Sequence, residues 1–215
     1  MLVAMKLISV NVSGPKPIDS VKKLSQTGIF KEPVQATVYI GELGLAGDVQ
    51  VDQENHGGPD QAVYLYSQED YAWFAREYSI DTKPGMFGEN LTLSSFGTDT
   101  LYIGDRFEIG EVLLELTDPR IPCGTFAARM NDLEFVKKFK QAERPGVYAR
   151  VLRVGEVQAG TPASYKRGHS DVTILESFRL FYKKSPSKNE IERQLSAPVS
   201  CRARAVYEQK LVDLS

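Results

Sequence analysis

The chain has 215 residues, 42% hydrophobic and 25% charged, with a formal net charge of −2. Such a chain buries a full core without staples, and its overall charge recruits no polyanion. Its two cysteines, Cys123 and Cys201, make neither a disulfide framework nor a CxxC metal clip, and they suit a reducing compartment.

No apolar run is long enough to span a bilayer. Met1 to Val12 lacks the basic lead-in and the small-residue cleavage site of a signal peptide, so the expected location is the cytoplasm. Lys6 to Val12 alternates as a strand, and Ser13-Gly14-Pro15-Lys16-Pro17 is a turn cluster. Thr27 to Val34 is irregular and carries Ile29, Phe30 and Lys31. Ala36 to Ile40 reads as a second strand, followed by a glycine-punctuated loop from Gly41 to Asp48. Asn55 to Val63 then sets His56, two glycines and Asp60 just ahead of a strand, Ala62 to Tyr66. Glycine lets a ligand approach the main chain. The same residues also make a plain turn in which His56 and Asp60 bond their own backbone, and spacing alone does not separate the two. Ser67 and Asp70 cap a helix whose Tyr71, Phe74 and Tyr78 stripe faces the core. Pro84 to Leu91 is a loop that places Glu89 and Asn90. A buried amide needs partners in any case, so Asn90 fits a structural role equally.

Ile103 to Gly110 and Glu111 to Thr117 are strands, the second ended by Asp118-Pro119. Pro122 holds Ile121 extended, so the chain is stiff where it delivers Cys123. Phe126, Ala127 and Met130 then begin a short helix. A thiol at a helix start with Arg120 nearby is in a setting that lowers its pKa. The thiolate binds soft metals or attacks electrophiles. Without such context a lone cysteine is most often a small buried hydrophobe. Asn131 and Glu134 read as an N-cap pair, with Leu133, Val136 and Phe139 on the buried face and Lys137, Lys138 and Lys140 solvated. Pro145 to Leu152 and Gly155 to Ala159 are further strands.

From Lys166 the pattern becomes helical. Thr173 with Glu176 starts a helix bearing Ile174, Phe178 and Phe181. Ser187 with Glu190 starts a second, and Val206, Tyr207 and Leu211 mark a third beyond Pro198. This tail holds 10 Lys+Arg against 6 Asp+Glu. That surplus is compatible with a helix-turn-helix on nucleic acid, but capping boxes, aromatic stripes and interspersed acids explain the tail as packed structure. Cys201 reads as structural. Short strands between glycine turns suggest a closed or strongly bent sheet.

Five blocks occur in a telling order: TGIFKEPV (27–34), HGGPDQAV (56–63), PGMFGENL (84–91), IGDRFEIG (103–110) and PRIPC (119–123). Together they resemble the MOSC domain, the sulfurase C-terminal domain family, and particularly its YiiM-like branch. The tail resembles the small three-helix domain of that branch. The resemblance implies a mainly β fold with helices: a pyruvate-kinase-like β-barrel over 1–165, then a three-helix domain over 166–215. It implies a molybdenum cofactor, a molybdopterin whose metal a cysteine thiolate holds, and that role carries over to Cys123. Pyridoxal phosphate is linked to the family only in general.

Related amidoxime-reducing components reduce N-hydroxylated compounds, and the YiiM-like branch is associated with base analogues such as 6-hydroxylaminopurine. A separate flavoprotein reductase supplies the electrons. By resemblance Asp60 relays a proton, Asn90 orients an oxo group or water, His56 and Arg120 meet the pterin phosphate or substrate, and Lys31 is a further phosphate candidate. The chain departs from the family at Gln61, often a lysine, at Thr125-Phe126, often Lys-Leu, and at Gly160-Thr161, where a Gly-Asp is usual. The first two lower the positive charge near the cofactor.

Two functions fit Cys123: a reductase, or a cofactor-binding or sulfur-carrier protein that bears a persulfide. No Gly-x-Gly-x-x-Gly is visible, which agrees with a chain that has no nucleotide fold of its own. The tail is expected to dock a reductase or a second copy of the chain as a homodimer.

Overall fold

A computed structural model describes residues 5–18, 25–53 and 57–214. It is a mixed sheet with six helices. The chain opens with β1 (Leu7–Val12), β2 (Lys16–Pro17), β3 (Gln26–Thr27), β4 (Glu32–Val34), β5 (Val38–Gly41) and β6 (Gly44–Leu45). A short 3-10 turn, Pro59–Gln61, leads into β7 (Val63–Ser67), α1 (Gln68–Tyr78) and β8 (Leu91–Leu93). Next come β9 (Arg106–Ile109), β10 (Val112–Asp118), α2 (Gly124–Met130), α3 (Phe135–Ala142), β11 (Val147–Arg153), β12 (Gly155–Val157) and β13 (Ala163–Lys166). The tail is α4 (Ile174–Phe181), α5 (Lys188–Leu195) and α6 (Cys201–Asp213).

Eight strands pair in the order β13-β9-β10-β11-β7-β8-β1-β4, and β12-β5-β6 form a smaller sheet. Every pairing in the large sheet is antiparallel except β7 with β8. Parallel neighbours need a crossover connection, and α1 with the 79–90 loop supplies it. That crossover carries the Pro84 to Leu91 block to the end of the sheet where Cys123 lies.

The sheet is not closed into a barrel, so the barrel expectation is corrected. No ladder joins the end strands β13 and β4 among the described residues. Instead one edge of β1 is divided. Its second half pairs with β4, from Val10–Val34 to Val12–Glu32. Its first half is tacked to the segment ahead of β13 by a Lys6–Pro162 bridge. The amides of Leu7, Gly160 and Ala163 donate across this seam at 2.9, 2.8 and 2.9 Å. The curl is fastened over a few residues because β4 occupies the rest of the edge.

The main core fills the curl with Leu7, Val10, Leu65, Leu91, Phe107, Leu114 and Leu116, and the tail adds Val172, Ile174, Ala197 and Val199 to it. A second, aromatic core joins α1, α2 and α3 to the 84–88 loop. Phe87 is its centre, with ring centroids 4.8 to 5.7 Å from Tyr66, Tyr71, Phe74, Phe126, Phe135 and Phe139. Edge-on contacts of this kind add to burial, and Phe126 fixes α2 directly behind Cys123.

Cap signals at Ser67, Thr173 and Ser187 are realised: each side chain accepts the backbone N–H three residues on, and Ser187 with Glu190 forms the reciprocal box. The pair proposed at Asn131 and Glu134 is not an N-cap box. Asn131 ends α2 in the left-handed conformation, at φ 50°, and Asp132 Oδ1 accepts the Glu134 N–H. Helix α3 therefore starts at Phe135, its buried face is Phe135 and Phe139, and Leu133 is 81% exposed. Asp105 is fully buried and accepts from Tyr102 N, Tyr165 Oη and Gly168 N. No helix among the described residues is long and apolar enough to cross a membrane.

Candidate active site: a thiol and a buried guanidinium on one cleft

A cleft of about 720 Å³, counting its solvent-open part, lies at the end of the large sheet. The β3–β4 connection, the 48–52 loop, β7, the loop ahead of β8, β11 and the 119–123 segment all reach it. Of the residues singled out from sequence, Lys31, Asn90, Arg120 and Cys123 line it together. Asp60 does not, and His56 lies outside the described residues.

Cys123 caps α2 with extended backbone, at φ −131° and ψ 176°, and its carbonyl accepts from Phe126 and Ala127 N–H at 3.0 and 3.2 Å. Its side chain is half-buried. Neither cysteine forms a disulfide.

Arg120 is buried and lines the same cleft as Cys123. Its guanidinium carbon lies 5.1 Å from the centre of the Tyr64 ring and 4.5 Å from that of Phe126. Nη1 donates to the Phe87 carbonyl, while Nε is buried with no hydrogen-bond partner. Among the described residues no carboxylate neutralises it. Burial works against its charge, but Tyr148, Tyr64 and Cys123 beside it outweigh that and raise its pKa. Gly88 makes room for it. At φ 79°, a Cβ there would stand 2.9 Å from Ile29 Cγ1 and 3.4 Å from Arg120 Nη1.

Lys31 is also buried, and burial lowers its pKa. Its charge is compensated within the wall, because both Asp48 oxygens lie 2.5 Å from Nζ. Asn90 belongs to the same arrangement. Its Nδ2 donates to Asp48 Oδ2 at 2.8 Å and its Oδ1 accepts from Tyr64 N at 3.1 Å. Below it, buried Glu89 accepts from Gly85 N, Tyr71 Oη and Thr92 Oγ1 at 2.6, 2.7 and 2.8 Å, which pins the loop.

Asp60, expected as a proton relay, lies off the lining of this cleft. Its carboxylate faces the tail: Oδ2 accepts from Cys201 N at 2.7 Å, and Oδ1 lies 2.8 Å from Arg150 Nε, out of line for a hydrogen bond. Gln61, where a lysine was expected, accepts from Arg202 Nη1 at 2.9 Å, so α6 brings a guanidinium to that spot. Residues not foreseen are Asp48 and Tyr64, and Tyr148 lines the cleft beside them. Burial raises both phenols, with Arg120 pulling the other way.

A molybdopterin fits this donor set. No cluster of three His, Cys, Asp or Glu could hold a bare metal ion among the described residues. A metal at Cys123 would therefore have one protein ligand and bring the rest with it. Arg120, with its unpartnered Nε, is a cation suited to an anionic phosphate.

The MOSC domain family, of the molybdenum cofactor sulfurase C-terminal type, matches residues 52–164. The chain is 33% identical to the uncharacterized protein YflK of Bacillus subtilis, covering 95% of this chain and 93% of that one. It is 30% identical to the protein YiiM of Escherichia coli, covering 80% and 78%. A protein of Gibberella moniliformis named as a reductase is 27% identical over 81% of this chain, which spans 32% of that protein's length. The crystal structure of YiiM from Geobacillus stearothermophilus superposes with a TM-score of 0.79 at 26% identity, covering 96% of this chain and 99% of that one. The chain is a YiiM-like member of the MOSC domain family.

Proposed function

We propose that this chain is a molybdenum-cofactor-dependent reductase of N-hydroxylated compounds, with Cys123 as the protein ligand to the metal. One observation carries the reading: a half-buried thiol and a buried, carboxylate-free guanidinium line the same cleft. A soft thiolate suits a high-valent metal whose other ligands come from an organic cofactor. The fungal relative named as a reductase supports the class of reaction.

The bound cofactor supplies two-electron oxygen-atom chemistry. Two electrons and two protons cleave the N–O bond, and the amine and water leave. A separate flavoprotein reductase supplies the electrons. Arg120 holds the cofactor's phosphate. Lys31, Asp48 and Asn90 act as one rigid wall that fixes its position. Tyr148, kept protonated by burial, offers a hydroxyl to the departing oxygen. The reading divides the chain into a cofactor-holding part, 1–165, and a helical part, 166–215.

The test is molybdenum per chain by elemental mass spectrometry, from a cofactor-competent host, beside Cys123→Ser. Near-stoichiometric metal that vanishes in the variant, with turnover of an N-hydroxylamine by the wild type, is the expected result. An empty wild type from a host that loads a control enzyme overturns it. A persulfide on Cys123 without turnover would leave the sulfur-carrier reading.

A further inference from the structure

A second cleft, about 1490 Å³ with its solvent-open part, runs between the Asp118 to Cys123 segment and the tail helices. It meets the first at Gln61, Cys123 and Tyr148, which line both. The two differ in chemistry. The first is walled by Lys31, Asp48, Asn90 and Arg120. The second has a broad apolar wall that includes Ile121, Phe181, Val206 and Tyr207, with Asp118, Arg202 and Lys210 also on its lining. Phe181, which the helical stripe of α4 places in the core, is instead 55% exposed, and Val206 is 49% exposed. Both border this cleft.

Its tail side holds two donors without acceptors. Gln194 is 0% exposed; its Oε1 accepts from Ser177 Oγ at 2.8 Å, while Nε2 is buried with no partner. The Tyr182 hydroxyl is likewise buried and unpartnered, and burial pushes it up to about 12, so it stays protonated. Folded proteins leave few buried donors unpaired, and each such group calls for an explanation. Two along one apolar cleft match a ligand with a hydrophobic face and an acceptor at its edge.

We propose that this cleft is the substrate subsite: a neutral, flat aromatic compound lies along Tyr148, Phe181 and Tyr207, its N-hydroxyl end at Cys123 and a ring acceptor toward Gln194 and Tyr182. This rests on the reductase reading and adds a direction. The substrate approaches from the tail, across from the Lys31–Arg120 wall that holds the cofactor. The tail helices are then a specificity element, with Val206 and Tyr182 contacting substrate.

The test uses the full chain without cofactor and adenine, the amine product of 6-hydroxylaminopurine, as the probe. Titration with amide chemical-shift mapping should move resonances in α4, α5 and α6. Val206→Glu, at an exposed position, puts a charge against the apolar wall and should weaken adenine binding about tenfold or more. Tyr182→Phe and Gln194→Met each remove a donor at near-constant volume and should weaken it about 2- to 10-fold. In the loaded enzyme KM for 6-hydroxylaminopurine should rise in the same order across the three variants, with molybdenum content unchanged. Adenine that fails to bind the wild type, or binds Val206→Glu and Tyr182→Phe unchanged, overturns the subsite. Molybdenum content tests the reductase reading separately, because adenine binding needs no metal.

Discussion

Asp48 grips Lys31 through both carboxylate oxygens, each 2.5 Å from Nζ, with both side chains nearly shut off from water. Asn90 Nδ2 and Ser13 N also donate to Asp48, at 2.8 and 3.0 Å. The lysine of the TGIFKEPV block is thus neutralised inside the wall, and Arg120 remains the cation that the cleft offers to an anion.

Removing one partner of a buried pair leaves the other as an uncompensated charge. Asp48→Asn should therefore cost about 3 kcal/mol of stability. The double variant Lys31→Met, Asp48→Leu should cost clearly less. Urea denaturation of the four members of this cycle measures both, and strict additivity would show that the pair is not coupled.

Asp118 gives stability a pH dependence. Burial pushes its carboxyl from 3.8 up to about 6, against the pull of its hydrogen bonds to Ser200. Asp60 raises it further and Arg150 lowers it. Between about pH 4 and 6 the folded chain holds a proton that the unfolded chain has released, so this group's contribution falls as pH rises through that window. Asp118→Asn should remove that fall, worth about 3 kcal/mol. The check is the difference between variant and wild-type urea midpoints at pH 4.5 and at pH 7. Equal differences at the two pH values would count against it.

Gly88→Ala strains two things at once. The position has φ 79°, and the new methyl meets Ile29 Cγ1 and Arg120 Nη1. A loss of about 1–3 kcal/mol is expected from the backbone alone. Molybdenum loading should fall as well, because Arg120 is displaced. Loading at wild-type level in a folded variant would separate Arg120 from cofactor binding.

Asp60→Asn tests whether that carboxylate works on protons or on packing. With its oxygens on Arg150 and Cys201 N, the expected outcome is faster amide exchange in α6 and a loss of about 1–2 kcal/mol, with the pH profile of kcat unmoved. A lost limb in that profile would return Asp60 to the chemistry.

Local signals made much of the fold legible. Ser67, Thr173 and Ser187 cap the helices they announce, and Cys123 stands at the head of α2 as its pattern suggests. What stayed hidden depends on partners far apart in sequence. Asp48 reads as a loop acid, yet its partners lie 17 and 42 residues away. No local signal marks Tyr64 and Tyr148 as neighbours, because only the bend of the sheet brings these two strand residues to one cleft. Asp60 sits in a motif that looks catalytic, but its bond partner is 141 residues downstream. At α3 the error was one of phase: placing the helix start at Asn131 put Leu133, rather than Phe135, on the buried side. Sheet closure is likewise illegible, because β4 competes with the pre-β13 segment for one edge of β1.

That divided edge has a consequence for how the protein is born. The first half of β1 has no cover until Gly160 to Ala163 arrive, and on the ribosome these emerge after nearly the whole strand-bearing part. Until then the nascent chain carries an open strand edge, a template for pairing with its neighbours. Long-range closure of this kind is slow compared with helix formation. The sheet therefore completes only after the ribosome has delivered residues 160–163.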